Sequence, residues 1–136
     1  MDAAIAAEVR ERAGQVCEYC RMPQAAHVRT FPVDHIIAQQ HQGPTTLDNL
    51  ALSCTRCNSH KGPNIAGIDP QSGEMMRLFH PRTDRWTEHF SISGPYIVGA
   101  TAIGRTTVEL FTMNDPDYVL LRESLIEEGL FPPATS

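Results

Sequence analysis

The four cysteines of this 136-residue chain fall in two pairs, each of the form Cys-x-x-Cys. In each pair both thiols can reach one ion, and two such pairs supply the four sulfur ligands of a tetrahedral zinc site. The alternatives are two disulfides, which need an oxidising compartment, or a redox motif, which normally occurs once. We predict a structural Zn²⁺ bound by Cys17, Cys20, Cys54 and Cys57.

A second set of residues suited to chemistry lies between and just after these pairs. It consists of Asp34-His35 within an apolar run, Asn49-Leu50, and Asn58-Ser59-His60-Lys61-Gly62 after the last cysteine. In this order, with Cys-x-x-Cys on both sides, the motifs resemble the HNH nucleases. The resemblance covers Cys17–Gly62, about a third of the chain. It implies an α+β fold with a small ββα-metal (His-Me finger) core stapled by the zinc site, an N-terminal helix and a C-terminal α/β extension.

The same resemblance implies catalytic roles at four positions. His35 would be the general base that takes a proton from the attacking water. Asn49 would brace the loop and orient His35 by hydrogen bonding. Asp34 and Asn58 would bind one Mg²⁺ or Mn²⁺ through oxygen atoms, and that ion would polarise the scissile phosphate.

The last motif also supplies candidate contacts to nucleic acid. Lys61, His60 and the nearby Arg56 could contact phosphates that flank the cut. The family often has His at the position of Asn58, and an amide oxygen favours Mg²⁺ or Mn²⁺ over softer metals. His60 is a rival metal ligand, although its spacing from Asn58 suits one helix face poorly.

Charge is distributed unevenly along the chain. The net charge of −5 argues against a basic coat protein. Residues 17–61 carry four basic and three acidic side chains, whereas residues 62–136 carry five and ten. No apolar run is long enough to cross a membrane, and the start has no basic region typical of a signal peptide. We expect a cytoplasmic protein without a membrane partner.

The elements that must position these residues follow from local patterns. Asp2 and Gly14 bound a helix over 3–12, and Asp115-Pro116 begins a final helix that Gly129 ends. Strands are predicted over 28–37, 49–53 and 96–100, a helix over 55–61 and a loop over 62–73, with 105–113 ambiguous. We expect one domain over 1–136, with an HNH core at 17–62 and an extension at 63–136 packed on it.

The leading hypothesis is a metal-dependent endonuclease that hydrolyses phosphodiester bonds in double-stranded DNA with one metal ion. One alternative is a zinc-stabilised module that binds nucleic acid or protein without catalysis, and another is a partner protein acting through residues 62–136. A strip around Arg82, Arg85 and Trp86 could contact nucleic acid, but Trp86 is better interpreted as a core anchor. The sequence leaves the oligomeric state open, and a homodimer would turn a nick into a double-strand cut.

Overall fold

Short helices alternate with three two-stranded antiparallel sheets, which makes the fold α+β. The computed structural model describes residues 1–134. Over that range the helices are α1 (Ala3–Arg12), α2 (Thr55–Lys61), α3 (Trp86–His89), α4 (Ala102–Leu110) and α5 (Pro116–Glu127). The strands are β1 (Val33–His35), β2 (Leu50–Leu52), β3 (Ala66–Ile68), β4 (Met75–Arg77), β5 (Phe90–Ser93) and β6 (Tyr96–Gly99).

The central unit is the sequence β1–β2–α2. Strands β1 and β2 pair so that Asp34 lies opposite Ala51 and His35 opposite Leu50. All three residues of β2 are buried, whereas β1 is partly exposed. The core therefore covers β2 and leaves the residues of β1 within reach of solvent.

The predicted strand over 28–37 was wrong for its first half, because β1 begins only at Val33. Backbone groups of Arg29 and Phe31 make hydrogen bonds to side chains instead of pairing with a strand. The Gln24 amide donates to the Arg29 carbonyl at 2.8 Å and accepts from the Phe31 N–H at 2.7 Å. Pro32, which has no N–H, also interrupts ladder formation.

The extension contributes two hairpins and two longer helices. The loop predicted over 62–73 was wrong at Ala66–Ile68, which forms β3 and pairs with β4. The ambiguous segment 105–113 is mostly helical, and α4 begins at Ala102 with the Thr101 hydroxyl accepting from the Gly104 N–H. A Cβ on Gly104 would lie only 1.9 Å from the His89 carbonyl oxygen, so glycine permits α4 to pack against α3 and β6.

One buried cluster includes residues of both the central unit and the extension. The ring of Tyr19, which lies between the two cysteines of the first pair, packs edge-on against Phe79 and Phe111. The indole N–H of Trp86 donates to the Tyr19 carbonyl at 2.8 Å, and Arg82 pairs with Glu18. Trp86 is thus a core anchor, as expected, and it ties the extension to the first cysteine pair.

The helix ends follow the capping signals. Helix α1 has the predicted bounds, with the Asp2 carboxylate accepting from the Ala4 N–H, and Asp115 caps α5 in the same way. Gly129 ends α5 with a φ of 75°, a left-handed conformation that glycine adopts without strain. Within residues 1–134, no helix combines the length and apolar character needed to span a membrane.

Candidate metal centre and active site

The four cysteine thiols converge in the interior. Their sulfur atoms lie within 4.8 Å of one another, and Cys20 Sγ is 3.6 Å from Cys54 Sγ. A zinc tetrahedron with Zn–S bonds of about 2.3 Å has sulfur–sulfur edges of about 3.8 Å, so the donor set fits Zn²⁺. All four cysteines are buried and free, with no disulfide among them. They form a possible structural zinc site.

Hydrogen bonds and burial shift the pKa values of Cys20, Cys54 and Cys57 in different directions. Backbone N–H groups point at two of the sulfurs, from Cys20 to Cys17 at 3.5 Å and from Cys57 to Cys54 at 3.4 Å. Hydrogen bonds from the neighbouring thiols lower the pKa of Cys54, whereas the bonds that Cys20 makes to Cys17 and Cys54 raise its own. Burial raises the pKa of Cys57. Four adjacent thiolates in a dry core need a cation, which a divalent metal supplies.

The candidate general base, His35, is the last residue of β1. Its Nε2 lies 2.8 Å from the Thr45 hydroxyl oxygen, in the loop between β1 and β2. The imidazole is only partly buried, so water can reach this end of the strand. Thr45 thus holds the ring through Nε2.

Lys61 lies inside the protein rather than on its surface. Its side chain is 2% exposed, and its ammonium donates to the His35 carbonyl at 3.0 Å. The same nitrogen is 3.2 Å from Asp34 Oδ2. This lysine joins the last turn of α2 to the end of β1, a position different from the phosphate contact expected from the sequence.

The Asp34 carboxylate has capacity left for another ligand. Its Oδ2 is buried and, despite the nearby ammonium, has no hydrogen-bond partner among the residues described. Asn58 precedes Lys61 by three residues on α2, so the two side chains are neighbours on the helix surface. Carboxylate and amide oxygens are donors that suit Mg²⁺ or Mn²⁺.

Asn49 braces the loop that follows His35. It is 5% exposed, and its amide oxygen accepts from the Ile37 N–H at 2.9 Å. Its Nδ2 donates to the carbonyls of Ile37 at 3.0 Å and Pro44 at 2.9 Å. These bonds fix the backbone two residues beyond His35, while the contact to the imidazole itself comes from Thr45.

Arg56 and His60 occupy a different face of α2. They are four residues apart and therefore neighbours on the helix, and His60 is exposed. The Arg56 guanidinium lies 4.9 Å above the Tyr118 ring and 3.4 Å from Asp115 Oδ1. Both side chains remain available at the surface, unlike Lys61.

Sequence reasoning missed two residues of this region. Thr45 stands in a polar loop, and its spacing carried no signal that it would meet His35. Tyr118 is 7% exposed against Arg56, yet the apolar pattern of α5 was assigned to other positions. Thr45 meets His35 from ten residues away and Tyr118 meets Arg56 from a distant helix, so neither local composition nor periodicity predicts these contacts.

A central ββα unit with a buried four-cysteine cluster defines the class of the protein as a zinc-site ββα fold. Residues 17–64 match the family model described as HNH endonuclease. The Septu protein PtuB of Bacillus thuringiensis is 24% identical to the chain over 118 residues. That alignment covers 85% of this chain and 43% of the relative, so the chain spans less than half of the relative's length. No solved structure matches the chain significantly.

These findings confirm the resemblance drawn from the motifs. The part of the chain that carries the motifs, residues 17–64, matches the HNH endonuclease family model. The match begins at the first cysteine and ends two residues after Gly62, so it contains both cysteine pairs, β1, β2 and α2. A domain of this family suggests nuclease activity.

Proposed function

We propose that the protein is a metal-dependent endonuclease that hydrolyses phosphodiester bonds in double-stranded DNA. The observation that carries this proposal is the arrangement at the end of β1, within the HNH domain. There Asp34 has a buried oxygen without a hydrogen bond, His35 is open to water, and α2 brings Asn58 to the same side as Lys61. Metal-dependent phosphodiester hydrolysis uses a general base close to oxygen ligands for a hard cation.

His35 acts as the general base. We assign the Nε2–H tautomer to His35. In that tautomer the Thr45 hydroxyl accepts from Nε2–H, which leaves the lone pair of Nδ1 free to take a proton from water. Asn49 holds the loop that carries Pro44, directly before Thr45, and so keeps this contact in place. Each of these residues positions the base without taking part in bond cleavage.

Asp34 and Asn58 would hold the catalytic Mg²⁺ or Mn²⁺, and Lys61 sets the position of Asp34. When bound, that ion polarises the scissile phosphate and stabilises the leaving oxygen. The four cysteines hold a separate structural Zn²⁺, and the reduced thiols this requires favour a cytoplasmic location. Residues 63–134 form one domain with the core through Trp86, Arg82 and Phe79. Residues 135 and 136 lie outside the part of the chain that the structure describes.

The Lys61–Asp34 ion pair favours the alternative, a zinc-stabilised binding module without catalysis. An internal ammonium 3.2 Å from the carboxylate already supplies a positive charge. If this ammonium excludes the divalent ion, the site stabilises the fold without catalysing hydrolysis. Metal binding at Asp34 distinguishes the two functions.

A supercoiled-plasmid assay with Mg²⁺ or Mn²⁺ tests the proposal. We expect the wild type to relax or linearise the plasmid, and His35→Ala to slow cleavage by about 10²- to 10⁴-fold, the usual contribution of a general base. His41→Ala is the matched control, because His41 is an exposed histidine six residues away. Asn58→Ala should weaken Mn²⁺ binding measured by electron paramagnetic resonance. Cleavage that survives His35→Ala unchanged would contradict the proposed mechanism.

A further inference from the structure

An open cleft of about 480 Å³ lies beside α2, bounded by the loop at His27–Arg29 and by α5. Its polar lining is mostly cationic or imidazole, from His27, Arg29, Arg56 and His60. Such a concentration of basic groups is unusual in a chain with a net charge of −5. The composition of the lining is that of a phosphate-binding surface.

Aromatic contacts hold two of these basic groups in place. Tyr118 is 7% exposed and forms the floor of the cleft, with Arg56 stacked 4.9 Å above its ring. The His27 ring lies 5.8 Å from Tyr118 and 5.2 Å from Phe31. A guanidinium held on a ring loses less conformational freedom when it binds an anion than a freely mobile one does.

One acidic group opposes this charge. Asp115 lies 3.4 Å from Arg56, with 29% of its side chain exposed. Its carboxylate also caps α5 by accepting from the Asp117 N–H. Arg29 is exposed at the rim. An anion entering the cleft therefore meets Arg29 directly and competes with Asp115 for Arg56.

The cleft and the proposed catalytic site lie on different faces of the same helix. Arg56 and His60 face the cleft, whereas Lys61 faces β1 and places its neighbour Asn58 towards that side. A helix with its side chains is about 10 Å wide, close to the width of about 12 Å of the major groove of DNA. A duplex can thus present different phosphates to the two faces.

We propose that this cleft binds a non-scissile phosphate of duplex DNA, separated by α2 from the phosphate that is cut. The inference rests on the proposed nuclease function and adds a binding surface built from both the HNH domain and the extension. It makes Arg29 and Arg56 determinants of affinity, with no part in the chemical step.

DNA binding as a function of salt tests the inference. The zinc-loaded His35→Ala protein is titrated with a fluorescent duplex in Mg²⁺ at several salt concentrations, so binding is measured without cleavage. Losing one phosphate contact should reduce the slope of log K against log salt by about 0.9. We expect that reduction for Arg29→Gln and for Arg56→Gln. The matched control is Arg77→Gln, an exposed arginine outside the cleft that pairs with Asp84 and gives the same change in net charge.

A gain of affinity provides the second arm. Asp115→Asn removes the competing carboxylate, and asparagine caps a helix as well as aspartate does. We expect tighter DNA binding than for Glu123→Gln, which removes an exposed charge from the same helix away from the cleft. Thermal unfolding midpoints of all variants verify that folding is retained.

The outcomes separate this inference from the proposed function. If the cleft variants match their controls while the wild type cuts DNA, the inference is wrong and the nuclease function stands. If the wild type binds DNA through the cleft but never cleaves it, the phosphate-binding cleft stands, whereas the nuclease function and the distinction between a scissile and a non-scissile phosphate are wrong. Absence of salt-dependent DNA binding by the wild type overturns the inference.

Discussion

The four-cysteine cluster and the end of β1 are two candidate metal sites of opposite character. The cysteine cluster is closed, because four buried sulfur atoms are already within 4.8 Å of one another. The end of β1 is open, because His35 is partly exposed and the oxygen donors come from one carboxylate and one amide. Closed sulfur sites serve structure, whereas sites with open positions serve catalysis. The proposed function therefore assigns stability to the cysteine cluster and catalysis to the end of β1.

Removing the zinc ligands should have the largest effect on folding. A small effect would contradict a structural role for the cysteine cluster. Binding of structural zinc contributes about 10–16 kcal/mol in zinc-finger peptides, so chelation or Cys57→Ser should unfold most of the chain. We expect one Zn²⁺ per chain by metal analysis, with loss of near-ultraviolet circular dichroism on chelation. His41→Ala is the control for substitution at the surface. A folded protein with four free thiols and no zinc would contradict the cysteine-site assignment.

Replacing Lys61 should have an intermediate effect on stability. It also tests whether a divalent ion binds at the open site. Lys61→Met leaves Asp34 and the His35 carbonyl without their cation, and breaking a buried pair costs about 3 kcal/mol or more. We expect the unfolding free energy to fall by that amount in urea titrations. Added Mg²⁺ should recover more stability in Lys61→Met than in the wild type, because the ion replaces the lost charge. Equal recovery in both proteins would show that no divalent ion binds at Asp34.

Thr45→Val should have the smallest effect, confined to catalysis. Losing one hydrogen bond worth about 1 kcal/mol should lower kcat about fivefold, with KM and the unfolding midpoint unchanged because Thr45 is exposed. Thr45→Ser retains the hydroxyl and should restore kcat. Nitrogen chemical shifts should show Nε2-protonated His35 in the wild type and a mixture of tautomers in Thr45→Val. A kcat that Ser fails to restore would argue for a packing role of the methyl group.

Much of the fold could be predicted because its signals are local. Asp2 and Asp115 are capping residues whose bonds involve positions only two residues away, and they placed the starts of α1 and α5 correctly. The bounds of α2 follow from its position between Cys54 and Gly62. The cysteine pairs carry their own spacing, so the sulfur cluster was predictable from the sequence, and so was the HNH domain.

The remaining features of the fold and the site depend on side-chain contacts that no sequence pattern predicts. No local pattern announces that Lys61 would be buried against β1, 26 residues away, or that Gln24 would replace a strand as partner of Phe31. The same is true of Thr45 on His35 and of Tyr118 beneath Arg56. The ligand types and the helix ends could be inferred from the sequence, because helix capping and Cys-x-x-Cys geometry are short-range. Which charges are buried, which are paired and which line a common cleft became visible only in the folded chain. Burial is a property of the whole packed chain.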